Sequence, residues 1–218
     1  MRTHIQFYPK GWEWRDCRRA RKGLVEGVGT NDADYATNPL INGNRLSCPA
    51  YVIWKAMLQR CYNGKRHLPT YVGASVVESW LCFSNFRKWY FQHRDLISYY
   101  GYKGRLELDK DILSNSKTYG PSTCILIPRA LNCLLLDSRA SRGKYPIGVC
   151  KDRGRFQARV CIDGDRKRKR KYGFNTPEEA ATWRLQTKLE YVENYPLPPW
   201  LDEAKVRRRL IEIVRNQK

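Results

Sequence analysis

Apolar residues recur at helical spacing in 47-SCPAYVIWKAMLQRCYNGK-65, where Tyr51, Trp54, Leu58 and Cys61 fall on one face. Ser47 can cap this helix, Pro49 suits its first turn, and Asn63-Gly64 ends it. A second helix is predicted from about Glu78 to His93, with Trp80, Phe83, Phe86, Trp89 and Tyr90 facing a common core. Between the two, 69-PTYVGASVVESW-80 holds Gly73 and a short β-branched piece, which predicts a loop with at most one strand. The segment 106-LELDKDILSNSKTYGPSTCILIPRALNCLLL-136 reads as strand, turn, strand and short helix. Asn115-Ser116 and Gly120-Pro121 supply the turns, and Pro128 opens a helix with Leu131, Leu134 and Leu135 apolar.

The period then changes. After the polar stretch 137-DSRASRGK-144, 147-IGVCKD-152 reads as a short strand and Arg153-Gly154 as a turn. In 155-RFQARVCI-162 alternation is strict, with Phe156, Ala158, Val160 and Ile162 on one face and Arg155, Gln157, Arg159 and Cys161 on the other. Asp163-Gly164 is a hairpin signal, so the basic run from Arg166 to Lys171 becomes the return strand. Thr176 caps a helix begun by Pro177, Glu178 and Glu179, whose apolar side is Ala180, Trp183, Leu185, Leu189 and Tyr191 or Val192. That helix hides one sheet face and leaves the basic one open.

The fold class expected is α+β. A basic arm with loops spans 1–45, a central domain 46–136, a linker 137–144, the sheet-and-helix domain 145–195 and a C-terminal basic helix 196–218. In that last piece Leu201, Ala204, Leu210, Ile213 and Val214 form an apolar side, which docks on the sheet or pairs with a partner. The arm allows a short helix at Trp12 to Arg21, and Arg18 and Arg19 there suit phosphate contacts as well as they suit a solvated terminus.

A formal net charge of +20 and a pI near 9.8 make a polyanion, above all nucleic acid, the natural partner. No window approaches the roughly 18 apolar residues that cross a bilayer, and the first residues lack the apolar segment of a secretory leader, so a soluble cytoplasmic protein without membrane contact is expected. Eight cysteines are scattered without a CxxC pair, which reads as small buried residues rather than a disulfide framework. A zinc site built from distant cysteines with His4, His67 or His93 is not expected. On the open sheet face, Lys and Arg would neutralise phosphates while Arg and Gln read base edges; the plainer alternative is a solvated edge strand guarded by its charges.

The stretch 146-PIGVCKDRGRFQARVCIDGDRKRKRKYGFNTPEEAATW-183 resembles an AP2 domain. Its marks are Gly148-Val149, the alternation of Phe156, Ala158 and Val160, Asp163-Gly164, and Gly173-Phe174 followed by Thr176-Pro177-Glu178-Glu179-Ala180. The resemblance implies a three-stranded sheet laid in the major groove. Arg153, Arg155, Gln157 and Arg159 would then touch DNA, together with the basic run, represented by Lys167, Lys169 and Lys171. Its third strand is more charged than the family's, which leaves open which of Arg166 to Lys171 point outward.

Upstream, 27-GVGTNDADY-35, 51-YVIWKAMLQRCYN-63, 70-TYVGASVVESWLCFSNFRKW-89 and 108-LDKDILSNSKTYGPSTCILIPRALN-132 resemble phage HNH-endonuclease-like proteins that carry a C-terminal AP2 domain. This implies DNA hydrolysis in a ββα motif with Mg2+ or Mn2+, homing-type activity and a phage-infected bacterial host. Asp109 and Asn132 would be metal ligands and Asp111 a second carboxylate. Lys110 stands where many of these nucleases have the histidine base, and a lysine of ordinary pKa is protonated at pH 7; His67 or His93 is the substitute. Thr123 stands where an asparagine orients the loop, and Ala74 and Val77 where relatives often have cysteines. Read without the resemblance, Asp109 is a turn-capping aspartate and Asn132 a helix asparagine. The rival function is a catalytically inactive protein that binds DNA, RNA or a host nucleoprotein, with the HNH core as scaffold.

Overall fold

The computed structural model describes residues 23–41, 43–63, 71–135, 143–161 and 168–217. The arm with Arg18 and Arg19, His4, His67, the hairpin tip at Asp163-Gly164 and Lys167 lie outside them. The described residues mix helices with small sheets, an α+β chain, and divide into two compact units.

The first unit takes Met1–Tyr99 with Ser116–Thr123. It holds β1 (Leu40–Ile41) paired with β2 (Asn44–Arg45), α1 (Pro49–Tyr62), β3 (Ser75–Val76), α2 (Glu78–Leu81) and α3 (Phe83–Tyr99). Pro49 opens α1 as expected, but the residue at the cap is Cys48, not Ser47, and its side chain makes no capping bond. The helix expected from Glu78 to His93 breaks at Cys82, whose backbone is extended. Thr30 causes the break: its N–H donates to the Leu81 carbonyl at 2.8 Å and its carbonyl accepts from Phe83 N at 3.0 Å. The Asp32 carboxylate then accepts from Ser84 N at 2.8 Å and from the Cys82 thiol at 2.9 Å, supplying a cap for α3 from a loop distant in sequence. Trp54, Trp80, Phe83, Phe86 and Tyr90 are buried together, and the Trp54 indole donates to the Trp80 carbonyl at 2.7 Å. The short strand expected between the helices is β3, and it pairs in parallel with β5 (Thr118–Tyr119).

The second unit takes Tyr100–Asn115 with Cys124–Lys218. Here β4 (Leu106–Asp109) and β6 (Ile125–Pro128) form an antiparallel pair followed by α4 (Arg129–Leu135), the ββα outline read from the sequence. Then come β7 (Val149–Asp152), β8 (Arg155–Cys161) and β9 (Arg168–Phe174), an antiparallel sheet in that order, with α5 (Pro177–Glu193) and α6 (Glu203–Arg215). Thr176 caps α5 in a reciprocal box with Glu179.

The domain boundary expected at 137–144 separates no compact units. Ile112, Leu131, Leu134, Val192, Leu210 and Val214 are buried in one core, so the ββα element, α5 and α6 fold as a single body. The reason lies in α5, which is apolar on two sides: Ala180 faces the sheet core with Val149 and Ala158, while Leu185, Leu189 and Val192 face α4 and α6. The C-terminal helix therefore docks on α5 and α4, not on the sheet. Among the described residues no helix is long and apolar enough to cross a membrane.

Candidate nucleic-acid interface

The sheet is shaped by its turns and one bulge. Arg153 and Gly154 both have positive φ, 47° and 86°, the two-residue mirror-image turn that matches strand twist in hairpins. Register places Ala158 between Val149 and Lys171, and Val160 opposite Lys169; these lie on the face that α5 covers. The other face carries Asp152 opposite Arg155, Cys150 opposite Gln157, Arg159 opposite Arg170 and Cys161 opposite Arg168. Arg155, Arg159, Arg168 and Arg170 are all exposed there, and Asp152 is the one carboxylate among its described strand residues.

This register decides what the basic run left open, which of its side chains share the open face. Lys169 and Lys171 belong to the helix-covered side of β9, at the sheet's edge, and Arg168 and Arg170 take the open face in their place. The slip comes from Tyr172-Gly173, two residues opposite Gln157, with Gly173 at φ 83°. One extra residue inverts the alternation on its far side, so the odd lysines of the run end inward. Gln157 keeps the open face, and Arg153 sits exposed at the turn.

The ββα element holds the other candidate residues. Asp109 is buried at the end of β4, and its Oδ1 accepts from the backbone N–H groups of Asp111 and Ile112, both at 2.9 Å. Burial pushes its carboxyl up to about 6, the two amide bonds opposing and Asp111 adding to the rise. Lys110 donates through its ammonium to the Asp111 carboxylate. The Asn132 side-chain amide donates to Glu107, which also lies 3.7 Å from Arg105 and 3.8 Å from Arg129. Glu107 escaped the sequence reading; its i, i+2 relation to Asp109 in a strand was the signal, since that spacing puts both carboxylates on one face. Arg209 of α6 binds the turn from the far side, donating to the Asp111 carbonyl at 3.0 Å and to the Asn115 side chain.

Hard oxygen donors such as these suit Mg2+ or Mn2+. Each has a partner within the fold: Asp109 closes a turn, Asp111 pairs with Lys110 and Asn132 serves Glu107, and among the described residues no group of three His, Cys, Asp or Glu side chains could hold a metal ion. His93 belongs to the first unit, its ring 4.3 Å from that of Trp89 and its Nδ1 2.8 Å from the Trp89 carbonyl. Thr123, also there, donates to the Thr118 carbonyl at 2.7 Å and steadies the turn at Gly120. Ala74 is buried and Val77 precedes α2. Among the described residues the seven cysteines form no disulfide.

No protein family, curated protein or solved structure matches the chain.

Proposed function

We propose that the protein binds duplex DNA through the open face of β7, β8 and β9. The observation that carries this reading is the cluster of Arg155, Arg159, Arg168 and Arg170 around Gln157 on one exposed sheet face, in a chain of net charge +20. A rigid strand pair spaces these side chains on a fixed lattice, which loops would not do, and a two-stranded ribbon fits the major groove. The resemblance to AP2 domains points to the same face. Arginines there neutralise phosphates or fork onto guanine, and Gln157 can pair with adenine.

Alanine at Arg155, Arg159 or Arg170 is expected to weaken duplex binding and to flatten the dependence of log K on log salt by about 0.9 for each phosphate no longer neutralised. Gln157→Ala should leave that slope unchanged and relax sequence preference, while Arg208→Ala, exposed on α6, should do neither. Anisotropy titrations at several salt concentrations measure this. Unchanged slopes in all three arginine variants, or stronger competition by structured RNA than by duplex DNA, would overturn the reading.

A second reading is hydrolysis of the bound DNA by the ββα element. It is favoured by the buried carboxyl of Asp109, pushed up to about 6 at a strand end beside Lys110. The binding reading expects supercoiled plasmid to be retained and left uncut with Mg2+, Mn2+ or EDTA. Metal-dependent nicking that disappears in Asp109→Ala and Asn132→Ala would establish the endonuclease instead.

A further inference from the structure

The basic run does more than supply the open face. β9 is an edge strand, and its alternation sends Arg168 and Arg170 to one side and Lys169 and Lys171 to the other, all four exposed. Positive charge therefore wraps continuously around the edge. On the α5 side the wrap ends at an open cleft of about 520 Å3 between β9 and the first turns of α5. Phe174 and Trp183 line it, their ring centroids 6.1 Å apart and tilted by 45°, and Lys171 holds its ammonium 5.5 Å from the Phe174 centroid. Thr182 and Gln186, which line the same cleft, form the wall along α5. Glu179 is occupied in the helix cap, accepting from Asn175 N at 2.9 Å.

We propose that this cleft takes one unpaired DNA base, stacked on Trp183 and edged by Phe174, with its flanking phosphates on Lys169 and Lys171. The inference rests on the DNA-binding reading. An aromatic floor with a cation at its rim is the combination by which proteins hold single-stranded nucleotides, since every base has a π-face and every nucleotide a phosphate. Charge complementarity favours entry from the strand edge: Lys169 and Lys171 on β9 attract the backbone, while the carboxylates of Glu178 and Glu179, in the first turn of α5, repel it. A strand running along β9 thus keeps its backbone on the edge and turns a base inward. The protein would prefer duplexes with an extrahelical base, an overhang or a displaced strand over uninterrupted duplex.

The test is full-length protein titrated with two duplexes of one sequence, fully paired or carrying a single unpaired 2-aminopurine. Wild type is expected to bind the second roughly tenfold more tightly, the gain typical of one stacked base, and to quench its fluorescence. Trp183→Leu should abolish both the preference and the quenching while keeping wild-type affinity for the paired duplex, and Lys171→Gln, on an exposed side chain that leaves the core intact, should cut the preference several-fold. Equal affinity for the two duplexes, or a preference that both variants retain, overturns the proposal and leaves the duplex-binding reading standing. Binding to neither duplex overturns both.

Discussion

Gly148→Ala is expected to destabilise the second unit by about 3–5 kcal/mol, the largest effect of any small substitution in the sheet. Gly148 has φ +73°, and a Cβ added there would meet the Arg159 carbonyl oxygen at 2.6 Å and the buried Arg184 side chain at 2.7 Å. Neither neighbour can yield cheaply: the carbonyl belongs to the central strand and Arg159 N is bonded to the Gly148 carbonyl at 2.9 Å. Gly154→Ala is the control, because Gly154 also has positive φ, +86°, but its Cβ would meet nothing within 4 Å. That variant should cost only the left-handed conformation, about 1 kcal/mol. Urea unfolding followed by circular dichroism compares the two, and equal losses would mean that the close approach at Gly148 does not exist.

The second large effect is on pH dependence. Burial raises the Asp109 carboxyl to about 6, and burial with Arg184 nearby lowers the Lys188 ammonium to about 7, Cys161 opposing. Each pH unit between folded and unfolded pKa is worth about 1.4 kcal/mol. Asp109, raised in the fold, contributes stability that is complete below its unfolded value and is lost as pH rises through 6, a change of about 3 kcal/mol. Lys188, depressed in the fold, contributes stability that is complete above its unfolded value and is lost as pH falls through 7, on the order of 5 kcal/mol. Both contributions are therefore at their lowest between about pH 6 and 7, where these two groups together set a stability minimum.

Asp109→Asn keeps an oxygen for the two backbone amides and removes the charge, so it should stabilise the protein by up to about 3 kcal/mol at pH 8 and change little at pH 4. Lys188→Met removes the buried ammonium and also the bond it donates to Gln217, whose amide in turn caps α4 at the Leu134 and Leu135 carbonyls. At pH 6 the lost charge dominates and the variant should be more stable by roughly 4 kcal/mol. At pH 10.5 only the lost hydrogen bond remains and the variant should be less stable by about 1 kcal/mol. A Lys188→Met effect of one sign at both pH values would show that the amine is not held uncharged by burial. An acidic group that weakens its own fold at neutral pH is also what a functional carboxyl looks like, so the Asp109 result bears on the hydrolytic reading.

Legible in the chain alone was whatever a few neighbouring residues decide. The Pro49 helix start, the Arg153-Gly154 turn, the Thr176 cap and the alternation through Phe156, Ala158 and Val160 each rest on local backbone preference or a period of two, and each stands in the structure. The ββα outline was legible for the same reason, and so was the turn-capping role of Asp109, whose partners are two and three residues away.

Everything that turned on distant partners was not. The bulge at Tyr172-Gly173 reverses the facing of Lys169 and Lys171, and a run of like charges carries no hydrophobic pattern from which that register could be told. Thr30 and Asp32 divide a helix some 50 residues away. Leu185, Leu189 and Val192 join α5 to α4 and α6, which sets the domain boundary where no linker composition marks it. The sequence by itself determined the elements, the caps and the excess of positive charge, because those are short-range or additive quantities. Tertiary structure alone decided which basic side chains share a face, which carboxyl is driven from water and which lysine is buried beside an arginine, because register and desolvation are properties of the assembled surfaces and of no single segment.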